Sequence, residues 1–476
     1  MMGKYTRLGK NTLIVFIGGA GSKLVGILML PLYTRWLSTS DYGITDMVTV
    51  YATLLLSIVT CCIYDSIFIF PKGQDFKIQK EYFSSGLLFS LMMLAITACL
   101  FAAVANIPVL YGVDSIFMKY IWLIYGILCT GFLQTFVQQF VRSAGHVKIY
   151  SMTGVVLTLA TAVYSIAFIP SWGVKGYIYA IILANLSATC YSFVCSRTYR
   201  FIDRMTVKKE RCVEMLKYSV PLIPNAIMMW LVTALNRPVM ENYLGIEAVG
   251  LFAVANKFPG ILYMLFAIFL QAWSISVLEE FGKKDYAVFY NKILRLGVTM
   301  LVFLLCIVTL LSKCIVSIFV SQDFFDAWRY IPILTLGIVF SCISSISGSH
   351  FWATKESKYL FYSSIGGSLV AILGNFLLIP LWGIMGASIS YMLSFVTVAL
   401  ARIGYGWKYV QIQNIDKYLY MVLIAVINIV IVFYVSSVWL VCLWAFVLSI
   451  MLLHLNKEVA SNLLRLLKMK LGEMKK

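Results

Sequence analysis

Charge is the scarcest ingredient of this sequence. Only 12% of its 476 residues are Asp, Glu, Lys or Arg, about half the share of an ordinary soluble domain. Acidic residues are the rarer sign, 20 against 38 basic ones. There are three histidines, and His146, His350 and His454 stand far apart, which leaves little material for acid–base or metal chemistry. The eleven cysteines show no CxxC spacing; almost all fall inside apolar runs, as Cys61, Cys62, Cys99, Cys306 and Cys442 do, so they read as small packing residues. No hydrophilic stretch is long enough for a separate domain. The segment Gly18-Gly19-Ala20-Gly21-Ser22-Lys23 looks like a phosphate-cradling loop, but it lacks the GxxxxGK[ST] spacing and interrupts an apolar helix, so no nucleotide site follows.

Apolar residues are plentiful, at 61% against about 45–50% in soluble domains. After Lys4, Arg7 and Lys10 an apolar run continues to Tyr33 without a small-residue cleavage site, which makes it a retained helix rather than a signal peptide. Further runs predict helices near residues 44–70, 82–105, 116–140, 149–169 and 176–196. After a basic segment come 214–241, 248–278, 287–311, 330–350, 359–379, 384–406, 418–436 and 438–454. The expected fold is an all-α integral membrane protein of about 14 transmembrane helices. With a cytoplasmic N-terminus, about 30 of the 38 Lys and Arg residues fall on the cytoplasmic side. The net charge of +18 then reports topology, and nucleic acid is not an expected partner.

The chain also repeats itself. Leu37-Ser38-Thr39-Ser40-Asp41-Tyr42-Gly43-Ile44 realigns on Leu244-Gly245-Ile246-Glu247-Ala248-Val249-Gly250-Leu251, 207 residues on. Independently, Ile169-Pro170-Ser171-Trp172-Gly173-Val174-Lys175-Gly176 matches Ile379-Pro380-Leu381-Trp382-Gly383-Ile384-Met385-Gly386, 210 residues on. A Pro-x-Trp-Gly segment also serves as an interfacial turn, yet two nearly equal offsets argue for duplication. Six helices per copy insert both copies in the same orientation, the parallel repeat of several transporter folds. The expected domains are an N-lobe over residues 1–213, a C-lobe over 214–412, two added helices over 413–455, and a basic amphipathic helix over 456–476.

Ionisable residues inside a bilayer are costly, so each is a candidate for function or for a structural partner. Lys23, Arg35, Asp46, Asp65, Arg237 and Lys257 stand out. Arg35 and Asp46 face each other across a short hairpin, as substrate contacts or as an ion pair. Lys23 lies about 18 Å below Arg35, and Asp65 deeper still, about 28 Å below Asp46. A cavity lined by Lys23, Arg237 and Lys257 would prefer an anion such as a phosphate. Gln134, Gln138 and Arg142 recur every four residues on one helical face, suited to sugar hydroxyls or equally to interhelical hydrogen bonding. Asp46 and Asp65 are candidates for ion coupling or structural pairing. Pro221 and Pro224 interrupt the seventh helix. No cofactor or metal is expected beyond a coupling cation, Na+ or H+.

These residues resemble the polysaccharide-exporter branch of the multidrug/oligosaccharidyl-lipid/polysaccharide (MOP) superfamily, the Wzx-type flippases of bacteria. The resemblance rests on Arg35-Trp36-Leu37-Ser38-Thr39-Ser40-Asp41-Tyr42-Gly43, on Asn236-Arg237 after Pro221, and on Leu244 to Phe252. These are similar to the family's R-x-L-s-x-x-d-Y-G and D-R...L-G-x-e-a-V-G-x-Y patterns. Asn236 and Phe252 depart from it, where Asp and Tyr are usual. The resemblance implies two six-helix MATE-like lobes plus two helices, and alternating access to a cationic cavity. It also implies a polyprenyl-diphosphate-linked oligosaccharide as substrate, with Lys23, Arg237 and Lys257 on the diphosphate. The setting would be the bacterial inner membrane, both termini cytoplasmic, beside the polysaccharide polymerase machinery. Competing readings are a peptidoglycan-precursor flippase, a multidrug antiporter, and a membrane polymerase or acyltransferase using His350 or Asp323.

Overall fold

The computed structural model describes residue 26 and residues 28–106, 115–354, 356–434 and 444. All regular elements among them are helical. In chain order they are α1 (Leu30–Trp36), α2 (Thr39–Val59), α3 (Ile63–Ile69), α4 (Phe76–Ala105), α5 (Ile116–Lys119), α6 (Ile121–Ser143), α7 (Val147–Cys195) and α8 (Lys209–Ser219). Then follow α9 (Ile223–Ala234), α10 (Asn236–Leu244), α11 (Ile246–Glu280), α12 (Tyr286–Leu310), α13 (Ser312–Phe319), α14 (Ile331–Ala353), α15 (Lys358–Gly406) and α16 (Ile415–Tyr434). Ten helical stretches are long and apolar enough to cross a membrane. The expected first helix is described only near its end, and the expected helix at 438–454 and the amphipathic tail at 456–476 lie outside the described residues.

Two of the ten stretches, α7 and α15, run for 49 residues, and a single crossing needs about 20. Each is a hairpin of two antiparallel helices. The reversals sit at Gly173 (φ 52°, ψ −125°) and Gly383 (φ 58°, ψ −137°), backbone conformations open mainly to glycine. Both belong to the repeated Pro-x-Trp-Gly segment. Three residues on, Gly176 abuts the carbonyl of Phe168 and Gly386 that of Leu378, with no room for a Cβ at either.

The chain forms two compact units, Met1–Ala253 with Phe319–Phe324, and Val254–Ile318 with Phe325–Lys476. The first thus takes in the start of the second repeat. Its interior is aromatic, with Phe83, Phe132, Phe136 and Phe140 buried beside Ile63, Ile67 and Met215. In the second unit α14 packs along α15; Gly337 lies against the Tyr391 ring, and Trp273 on α11 donates to the Ser349 hydroxyl at 3.0 Å.

The first repeated motif has a physical reading. Ser38 and Asp41 form a reciprocal cap at the start of α2: the Ser38 hydroxyl accepts from the Asp41 N–H at 3.1 Å, and the Asp41 carboxylate accepts from the Ser38 N–H at 3.2 Å. Tyr42 packs edge-on against Phe324 at 5.9 Å. Gly43 touches the Ile246 carbonyl and the backbone of Gly250, while Gly250 touches the Thr39 carbonyl. The two aligned glycines of the repeat therefore face each other where α2 crosses α11, at backbone contact.

Two expected helices are broken. The run expected over 44–70 ends at Val59 and restarts at Ile63, because Cys61 (φ 50°) and Cys62 (φ 51°) are left-handed. The 28 Å separation of Asp46 from Asp65 presumed an unbroken helix and does not carry over. The expected seventh helix is interrupted by a 3-10 turn at Val220–Leu222, beside Pro221 and Pro224. At Leu235 the backbone stays helical (φ −56°, ψ −30°) and the break is one of hydrogen bonding alone, because Pro238 has no N–H to donate.

Candidate functional site

The break at Leu235 places the most buried cation named in the sequence. Arg237, on the first turn of α10, is 6% exposed. Its Nε donates to Asp46 on α2 at 3.0 Å. Its Nη1 donates to the Asn236 side-chain oxygen at 3.0 Å and to the Thr233 carbonyl. The guanidinium also lies 5.0 Å from the centre of the Phe252 ring, within cation–π range. Both departures from the family pattern are therefore in contact with Arg237: Asn236 supplies an oxygen, and Phe252 supplies a ring face without a hydroxyl.

Asp46 lies three residues beyond Gly43, so the glycine crossing sets its depth. Trp230 on α9 donates to the Val50 carbonyl at 3.3 Å, one turn further along α2. One turn beyond Arg237, Glu241 is half-buried. Asp46 is the carboxylate that meets Arg237. Such a buried pair adds little net stability against an apolar replacement, but losing one partner strands a charge.

The other expected site residues are placed differently. Arg35 is exposed on α1 and does not pair with Asp46, whose partner comes from 191 residues away. Lys23 lies outside the described residues. Lys257 belongs to the second unit and is exposed on α11. Asp65 is half-buried on α3, just past the break at Cys61 and Cys62. The Gln134 side chain donates to Gln138 at 2.7 Å and Gln138 donates to the Tyr150 carbonyl at 3.0 Å, which knits α6 to α7. Arg142 is exposed and lies over the rings of Phe68 and Tyr150.

Two further charged groups were not among the expected site residues, Arg402 counting in the sequence only as one of the cytoplasmic cations. Glu81 on α4 is buried and takes Lys208 Nζ at 2.6 Å and Arg211 Nε at 3.2 Å. Ser84 and Ser85 beside it bond the backbone of Asp203 and Lys208, so the linker after α7 is clasped onto α4. Arg402 in the second unit is half-buried. Both residues lie at the margins of apolar runs, where a charge reads as an anchor. His350 is buried among Tyr286, Tyr290 and Tyr409, its Nδ1 at 2.9 Å from the Tyr286 hydroxyl. Among the described residues no cluster of three His, Cys, Asp or Glu that would hold a metal occurs.

The fold is shared with solved transporters. The lipid II flippase MurJ in an inward closed conformation superposes with a TM-score of 0.72 at 15% identity, over 94% of this chain and 100% of that one. An inward-facing multidrug resistance MATE family transporter gives 0.64 at 14% identity, over 87% and 96%. A MOP superfamily transporter from Pyrococcus furiosus gives 0.61 at 14%, over 84% and 95%. No curated protein matches by sequence. The MatE family model matches residues 221–377. The model of the polysaccharide biosynthesis proteins matches residues 8–281, more than half of this multi-pass helical chain, and the chain belongs to that family.

Proposed function

We propose that the protein is a flippase that carries a polyprenyl-diphosphate-linked oligosaccharide from the cytoplasmic to the outer leaflet of the bacterial inner membrane by alternating access, for cell-surface polysaccharide synthesis. The observation that carries the reading is Arg237, a guanidinium buried in a broken membrane helix and held by one carboxylate. Diphosphate oxygens make the same charge-assisted hydrogen bonds as Asp46 and present more acceptors, so an arriving headgroup takes Arg237 from Asp46. Lys23 and Lys257 are the further cations of this reading, and Asp65 or the released Asp46 is the place for a coupling Na+ or H+. Moving about two negative charges outward across an inside-negative membrane gains about 4.6 kcal/mol per 100 mV. The polymerase that uses the delivered sugar is the expected neighbour.

The test is delivery of a fluorescent undecaprenyl-diphosphate oligosaccharide to the opposite leaflet of proteoliposomes. Wild type is expected to move it, and Arg237→Ala to fold yet fail. Export of cationic dyes without movement of the lipid would overturn the reading in favour of an antiporter. The likeness to a lipid II flippase favours one second reading, a peptidoglycan precursor as cargo, and competition between the two lipids in the same vesicles decides between them.

A further inference from the structure

In the second unit a different arginine stands in a neutral setting. Arg402 lies on α15, four residues before its end at Gly406, about 6 Å along the helix axis. Its Nε donates to the Ser363 hydroxyl at 3.1 Å, and Ser363 passes its own hydrogen to the Leu360 carbonyl at 2.8 Å. Its Nη1 donates to the Ser344 carbonyl at 3.1 Å. That reach exists because residue 348 is glycine: a Cβ there would stand 3.2 Å from Nη1 and 3.4 Å from the Arg402 Cδ. Backbone and side chains on both α14 and α15 are therefore shaped around the guanidinium.

The site lacks a negative charge. Arg237 has Asp46, and Arg211 has Glu81 and Glu214, but among the described residues no carboxylate lies within ion-pair distance of Arg402. A guanidinium has five N–H groups in a planar fork. With Nε and one N–H of Nη1 engaged, three of the five N–H groups remain to donate to the oxygens of an oxyanion. The residue is half-buried, so a ligand can reach it. Tyr405 and Trp407 are exposed at the adjoining helix end, and such residues mark headgroup depth.

We infer that Arg402 is the centre of an anion site in the second unit that holds a phosphate oxyanion, at the depth where a membrane lipid presents one. Ser363 and Ser344 orient the fork, and Gly348 gives it room. The site is independent of the cargo and stands whether or not the chain moves a lipid-linked sugar.

Phenylglyoxal labelling of the full wild-type chain in nanodiscs tests it, with modification of the Arg402 peptide read by mass spectrometry. Three conditions are compared: phosphatidylcholine alone, phosphatidylcholine with phosphatidylglycerol, and phosphatidylcholine with inorganic phosphate. Phosphatidylglycerol is expected to slow labelling of Arg402 roughly tenfold, the scale of a charge-assisted contact, and to leave exposed Arg35 unchanged. Protection by inorganic phosphate alone would keep the site and make free phosphate its ligand. Equal labelling in all three conditions would overturn it. Native mass spectrometry of Arg402→Lys adds a second readout, because an ammonium lacks the fork. The variant is expected to retain phosphatidylglycerol roughly tenfold more weakly, and undiminished retention would also overturn the proposal.

Discussion

The two units handle their backbones alike and their buried charges differently. Each has a reversal at the glycine of an Ile-Pro-x-Trp-Gly segment, with nearly the same φ and ψ, and each closes the hairpin over a glycine three residues later. The first unit pairs its buried charges with opposite ones, Arg237 with Asp46 and Glu81 with Arg211 and Lys208. The second surrounds Arg402 with hydroxyls and carbonyls and His350 with tyrosines. Duplication preserved what the backbone requires, because a Cβ against a carbonyl is intolerable in either copy. Side chains that set local charge were free to diverge, and differences between the copies are where specialisation is to be sought.

The largest expected effect breaks the comparison at its charged end. Arg237→Gln leaves Asp46 facing a neutral group in a buried place, and Asp46→Asn does the converse; each should cost about 3–5 kcal/mol. Arg402→Gln strands no carboxylate and should cost only about 1–3 kcal/mol, the scale of its lost hydrogen bonds. Thermal unfolding of the purified variants checks the order. If Arg402→Gln proves as damaging as Arg237→Gln, the second unit holds a charge partner after all. The double variant Arg237→Gln with Asp46→Asn should recover part of the loss, because the pair disappears together.

Next in size is the feature the units share. Gly176→Ala and Gly386→Ala each place a methyl against a carbonyl, and overpacking that cannot relax costs about 3 kcal/mol. The two losses in stability should agree within about 0.5 kcal/mol, the margin expected of equivalent sites. Unequal losses would mean that the hairpins are alike in outline only.

These pairs also mark how far the sequence could be read. The all-helical membrane architecture and the two Pro-x-Trp-Gly reversals were legible because apolar length and Gly/Pro breaks are local signals. Arg237 and Asp46 were both legible as costly intramembrane charges, but their pairing was not. Sequence proximity favoured Arg35 for Asp46, whereas the α2–α11 crossing and the break before Pro238 bring in Arg237 from far along the chain. The break at Cys61 and Cys62 was hidden, since neither residue is a helix breaker by type, yet both have left-handed φ. The glutamine face was legible as a face, yet only the position of Tyr150 shows where its amide hydrogen goes.

The smallest expected effect concerns the loops, and it divides the units by pH. In the first, Lys80 at 2.8 Å and the Met205 N–H hold the Asp203 carboxyl below its ordinary value of 3.8. A depressed carboxyl contributes stability that is present above the ordinary value and is lost as pH falls through the lowered one. In the second, Glu356 at 2.8 Å and the Tyr359 hydroxyl hold the Lys408 ammonium above its ordinary value of 10.5. A raised ammonium contributes stability that is present below the ordinary value and is lost as pH rises through the raised one. Lys408 is exposed and the Asp203 side chain is 31% exposed, so each effect is small and screened by salt. Limited proteolysis should therefore find the linker around Asp203 loosening below pH 3.8 and the loop around Lys408 loosening above pH 10.5. Asp203→Asn should abolish the first change and leave the second. If acid loosened the linker equally in the wild type and in Asp203→Asn, the Asp203 contact would not be the fastener, and the clasp on α4 would rest on Glu81, Ser84 and Ser85 alone.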